Sequence, residues 1–140
     1  MLPLKLILDT NVIVSGALKS NGLERAVLVF SVTPPARLFV TEPIIAEYSR
    51  VLAKPILKIG PRNAADLLRL IGSRSKIVQP SKAIAVCHDP DDDKFVECAD
   101  EVRADYLVTG NQRHFPKFWK NTKVINSREL IEIIAPHLKA

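Results

Sequence analysis

Short apolar runs alternate with polar, turn-rich breaks along this chain. The first of them, Leu4 to Gly16 (LKLILDTNVIVSG), halts at Asp9 and resumes after Thr10-Asn11. An unalternated apolar run of this length predicts a strand covered on both faces, followed at once by a helix start. Asp9 then falls at the carboxyl end of that strand, the edge of an open parallel sheet where ligands bind. A plain helix cap is the alternative, since Asp and Thr both serve in that position.

Val12–Leu18 and Leu23–Val32 carry helical spacing, separated at Asn21-Gly22 and ended by Thr33-Pro34-Pro35. Arg37–Val40 reads as a strand, and Thr41-Glu42-Pro43 opens a helix through Leu52 with proline in its first turn. Ile44, Ile45, Tyr48, Val51 and Leu52 form its apolar stripe, which leaves Glu47 at the stripe's edge. From there Glu47 could lean toward Asp9 or pair with Arg50 or Lys54. Lys54–Gly60 is a connection, Pro61–Ile71 a helix closed by Gly72, and Lys76–Val78 a short edge strand. Phe95, Cys98, Ala99 and Val102 recur at helical spacing, so a helix begins near Asp91–Asp93. Ala104–Asn111 reads as strand then turn, Gln112–Asn121 as a basic, aromatic loop, and Lys123–Ile125 as the last strand. Ser127 is placed as the cap of a final helix with Leu130, Ile131 and Ile134 on its stripe. Strands alternating with helices argue for one α/β domain over residues 1–140, a three-layer α/β/α sandwich on a mainly parallel sheet.

Composition adds a little. Apolar residues make up 47% of the chain and aromatics only 6%, which suits a core of Leu, Ile, Val and Ala. A net charge of +5 is compatible with a polyanionic partner or with a merely solvated basic surface. Cys87 and Cys98 match no zinc-type spacing and read as reduced thiols of a cytoplasmic protein. No apolar run approaches the roughly 18 to 20 residues that span a bilayer, and Met1–Lys5 is too short for a leader, so no membrane partner is expected.

The chemistry concentrates in carboxylates. Asp89, Asp91, Asp92 and Asp93 place four acids in five residues. A helix dipole accommodates one or two of them, and the rest repel unless a cation screens them. Asp9, Glu47, Asp93 with its neighbours, and Asn111 gather from strand ends and helix edges. Hard oxygen donors without His or Cys select Mg²⁺ or Mn²⁺, ions that chiefly serve phosphate chemistry. A calcium loop is excluded because Lys94 stands where that loop needs Gly, and neither nucleotide-binding glycine motif is present. Arg113, His114, Lys117 and Lys120 could contact nucleic-acid phosphates, with Trp119 stacking on a base or covering the core edge.

Four segments, LDTNVIVSG, EPIIAEYSRVL, DPDDDKFVECA and ADYLVTGNQRHFP, together resemble the successive signatures of the PIN-domain ribonucleases, and most of all the VapC-type toxins of toxin–antitoxin systems. The resemblance runs from about residue 4 to residue 116. It implies Mg²⁺- or Mn²⁺-dependent endonucleolytic cleavage of RNA, a co-encoded antitoxin partner and a homodimer. By position it makes Asp9, Glu47 and Asp93 the catalytic metal ligands, with Asn11 and Thr109 orienting them. The family often carries aspartate where this chain has Asn111, a neutral donor, and Asp91 or Asp92 could compensate. A weakly cutting RNA- or protein-binding module is the rival reading, and a DNA-processing nuclease uses the same residues.

Overall fold

Leu6, Ile7 and Leu8 are each fully buried although successive strand residues face opposite ways, so the first strand is covered on both sides. Leu38 and Val40 in the second strand repeat the pattern. In the computed structural model, which describes residues 3–138, that covering comes from helices on either face of a six-stranded sheet.

The strands are β1 (Lys5–Leu8), β2 (Arg37–Val40), β3 (Lys76–Ile77), β4 (Tyr106–Val108), β5 (Phe118–Trp119) and β6 (Thr122–Ile125), in spatial order β3-β2-β1-β4-β6-β5. Pairing is parallel throughout except between β5 and β6. The helices are α1 (Thr10–Leu18), α2 (Leu23–Ser31), α3 (Glu42–Leu52), α4 (Pro61–Arg74), α5 (Asp93–Val102) and α6 (Ser127–Leu138). α5 lies along β1, β2, β4 and β5, while α1 packs on α2, α3 and α4, and α2 packs on α6. The expected α/β/α arrangement on a mainly parallel sheet is what the chain adopts.

The sequence order moves outward from β1 through β2 to β3, then returns to β4 on the other side of β1. This reversal opens a crevice between the carboxyl ends of β1 and β4, the usual ligand site of such sheets. Asp9 N–H donates to Val108 carbonyl at 2.9 Å and closes the crevice floor.

Local differences from the sequence reading have identifiable causes. α4 runs through Gly72 to Arg74, since nothing crowds that glycine and its φ is helical. Residues 112–121 do not form one loop: a short 3-10 turn, Gln112–His114, precedes β5, which hairpins onto β6. α6 is capped by Asn126 rather than Ser127. Asn126 Oδ1 accepts from Glu129 N–H at 2.8 Å and Glu129 Oε1 accepts from Asn126 N–H at 3.0 Å, a reciprocal capping box.

Candidate active site

Asp9 caps α1 at the carboxyl end of β1 and is only 6% exposed. Its Oδ1 accepts from Thr10 N–H at 2.7 Å and its Oδ2 from Thr109 Oγ1 at 2.7 Å. Thr109 Oγ1 in turn accepts from Asn111 N–H at 3.0 Å, so the turn after β4 fixes the carboxylate of β1. Burial pushes the Asp9 carboxyl above the usual carboxylate range; the Thr109 and Thr10 bonds pull it back, and the Glu47 charge pushes it further up.

Glu47 reaches the same crevice from α3. Tyr48, its neighbour, is fully buried and its hydroxyl donates to the Leu8 carbonyl, which pins α3 to the residue before Asp9. Glu47 Oε2 accepts from Thr10 Oγ1, and Oε1 accepts from Lys94 Nζ at 2.6 Å. Arg50 stands at 3.8 Å from Oε1, and the expected alternative partner Lys54 is replaced by Lys94.

The acidic run before α5 divides its labour. Asp89 Oδ1 accepts from Asp91 N–H at 2.9 Å and starts a 3-10 turn, Pro90–Asp92. Asp91 is exposed, and its backbone N–H rather than its carboxylate makes the contact in this turn. Asp92 faces the crevice. Burial together with the charges of Asp9, Asp89 and Glu47 pushes its carboxyl up to about 6, partly offset by His114, whose Nδ1 is 3.6 Å from Asp92 Oδ2.

Asp93, the expected third ligand, has another occupation. Its Oδ1 accepts from Val86 N–H at 3.0 Å and Cys87 N–H at 2.8 Å. Burial raises its carboxyl, but the Cys87 and Val86 N–H groups and the Cys87 thiol outweigh that and hold it below the usual range. Glu97 Oε2 takes Ile84 N–H at 3.0 Å, and Glu101 Oε1 takes Ser81 N–H and Oγ at 2.8 Å each. Asp93, Glu97 and Glu101, spaced i, i+4 and i+8 on one face of α5, thus lace down the irregular stretch 81–87. Asp93 is therefore placed as a structural anchor, with Asp92 nearer the other two acids.

Two supporting assignments separate. Thr109 orients Asp9 as expected, whereas Asn11 Oδ1 accepts from Gly110 N–H at 3.1 Å and holds the β4 turn instead of a carboxylate. Thr10, which sequence reasoning weighed only as a cap, orients Glu47. Asn111 is exposed at the crevice rim, and its backbone rather than its amide makes the contact to Thr109.

Arg113, His114 and Lys117 are exposed beside the crevice or on the approach to β5. Lys120 is not with them. It lies in the β5–β6 turn at the amino edge of the sheet, 2.7 Å from Asp100 Oδ1 and 5.7 Å above the Trp119 ring, and Trp119 Nε1 also donates to Asp100 at 3.0 Å. That removes Lys120 from the expected RNA-contacting set and settles Trp119 against α5. Cys87 and Cys98 are both pushed up to about 12, chiefly by burial, so neither supplies a thiolate.

Asp9, Glu47 and Asp92 offer only hard oxygen donors, and burial with mutual repulsion raises two of the three. That donor chemistry fits Mg²⁺ or Mn²⁺. Among the described residues, no three Asp, Glu, His or Cys side chains already stand close enough to share one ion.

The PIN domain family profile matches residues 5–113, the span holding Asp9, Glu47, Asp92 and Thr109. The chain belongs to the PIN domain family. PIN domains are generally nucleases. A relative, the uncharacterized protein MJ1680 of Methanocaldococcus jannaschii, is 28% identical over 112 residues, covering 78% of this chain and 72% of that protein. Among solved structures, VapBC2 from Rickettsia felis, bound to a DNA fragment from its promoter, matches with a TM-score of 0.55 at 15% identity. The match covers 87% of this chain and 98% of that one, a likeness of fold.

Proposed function

We propose that this PIN domain is a divalent-metal-dependent endoribonuclease, the toxin of a type II toxin–antitoxin pair. The observation that carries the reading is that Asp9, Glu47 and Asp92, each delivered by a different element, face the β1/β4 crevice, where burial first and mutual repulsion second raise Asp9 and Asp92. Like charges brought together out of water take up protons or draw in a counter-cation, and a basic surround suits a polyanionic substrate.

Asp9, Glu47 and Asp92 would hold Mg²⁺ or Mn²⁺, which when bound supplies an activated water and charge for the phosphate oxygens. Thr109 holds Asp9 Oδ2 and Thr10 holds Glu47 Oε2, so one oxygen of each carboxylate is already fixed at the crevice. Arg113, His114 and Lys117 grip the RNA backbone on the exposed side, where phosphate contacts position the strand without reading its sequence. An antitoxin protein and a homodimer complete the expected set of partners.

Cleavage of a mixed-sequence single-stranded RNA with Mg²⁺, Mn²⁺ or EDTA, alongside Asp9→Asn, tests this. Metal-dependent cutting that the variant loses supports the enzyme, while cutting retained by Asp9→Asn in metal-replete buffer overturns the site. Competition with single-stranded DNA decides between an RNA and a DNA substrate, and sedimentation tests the dimer.

Asn111 favours a second reading, an attenuated PIN module that binds RNA but cuts poorly, because an amide brings no charge to the crevice rim. Under that reading Asn111→Asp raises the cleavage rate or metal affinity markedly; an unchanged rate counts against it.

A further inference from the structure

Glu47 has both of its oxygens engaged. Thr10 Oγ1 donates to Oε2, and Lys94 Nζ donates to Oε1 at 2.6 Å. The lysine comes from α5, two residues beyond Asp92, and its side chain is 20% exposed against 13% for Glu47. The pair is thus largely withdrawn from water and bridges two elements, unlike Arg50, which is 63% exposed and 3.8 Å from the same oxygen. Salt and solvent wear down the exposed contact far more than the enclosed one.

A hard cation approaching Glu47 therefore meets an ammonium already in place. We propose that Lys94 is the resident counter-ion of this site, a positioning residue that holds Glu47 in the metal-free protein and is displaced when metal enters. The inference rests on the metal-dependent reading above. Lys94 holds Glu47 in a protein in which, among the described residues, no three acidic, His or Cys side chains stand close enough to share an ion. Lys94 thereby sets how much divalent ion the site requires before it assembles.

The test is calorimetric titration of Mn²⁺ into the full chain without RNA, for wild type, Lys94→Gln, Glu47→Gln and the double variant. Lys94→Gln is expected to bind Mn²⁺ about tenfold more tightly, the equivalent of one charge-assisted hydrogen bond that no longer has to be broken. In the Glu47→Gln background the same change is expected to alter affinity by less than about twofold. Lys94→Met keeps the apolar stem and is expected to behave like Lys94→Gln, and Lys94→Arg to keep the wild-type affinity. Unchanged or weaker binding by both Lys94→Gln and Lys94→Met overturns the role of Lys94 while leaving the metal site standing. An equal gain in the Glu47→Gln background also overturns it, because the effect then acts at long range. If all the chains melt as folded proteins and none binds Mn²⁺, the metal-dependent reading falls and this inference with it.

Discussion

Neighbouring aspartates in this chain should respond to the same substitution with opposite signs. Asp92 is partly buried where Asp9, Asp89 and Glu47 also repel it, and its carboxyl is pushed up to about 6 from 3.8, by burial first and those charges second. The free-energy equivalent is roughly 3 kcal/mol, and solvent screening at this partly exposed group reduces it to about 1 kcal/mol. Because the folded state binds this proton more tightly than the unfolded chain does, the contribution is favourable below pH 3.8 and is lost as pH rises through about 6. Asp92→Asn in EDTA at pH 7.5 should therefore raise the melting temperature by about 2–4 °C, with the gain vanishing near pH 4. Asp93 has the reverse sign. Its carboxyl is held below the usual range by the N–H groups of the 86–87 backbone, so its stabilisation is present above pH 3.8 and is lost as pH falls below that. Asp93→Asn should cost about 1–3 kcal/mol at pH 7.5, since two charge-assisted bonds become neutral ones. Thermal melts followed by circular dichroism at both pH values distinguish the pair. Equal destabilisation by the two substitutions would refute the division of roles between these residues.

Further outcomes follow from the same geometry. Thr109→Val should weaken Mn²⁺ binding and cost about 1–2 kcal/mol, because Asp9 Oδ2 loses a buried donor; a chemical denaturation series and a Mn²⁺ titration read both. Tyr48→Phe should cost about 1 kcal/mol in the same denaturation assay and lower cleavage by loosening α3 over Asp9. Arg113→Gln and Lys117→Gln should each lower RNA affinity and reduce the salt slope by about one, whereas Lys120→Gln should leave both unchanged; filter binding at several salt concentrations checks the contrast.

The helices and the central strands were readable from the chain because β1, β2 and β4 are short apolar runs and each helix keeps its stripe. Glu47 at a stripe edge and Asp9 at a strand end could be placed for the same reason. What could not be read was phase. The family resemblance, carried over by position, singles out Asp93 as the aspartate two residues before Phe95, whereas Asp92, which ends the 3-10 turn Pro90–Asp92, is the carboxyl that the charges of Asp9 and Glu47 reach. Asp93, Glu97 and Glu101 find their partners in backbone N–H groups of an irregular segment, which carry no side-chain signal. Lys120 looked continuous with Arg113 and Lys117 until a two-residue strand, too short for any periodicity, carried it to the other edge of the sheet. Lys94 drew notice only as a residue that breaks a calcium loop, although its distance from Glu47 is among the shortest ionic contacts in the protein.

The most direct test of the account is the rate of single-stranded RNA cleavage in Mn²⁺ and in EDTA by wild type, Asp92→Asn and Asp91→Asn. The account predicts Mn²⁺-dependent cutting that Asp92→Asn loses by at least about a hundredfold and Asp91→Asn keeps. Cutting retained by Asp92→Asn, or cutting that persists in EDTA, would contradict it.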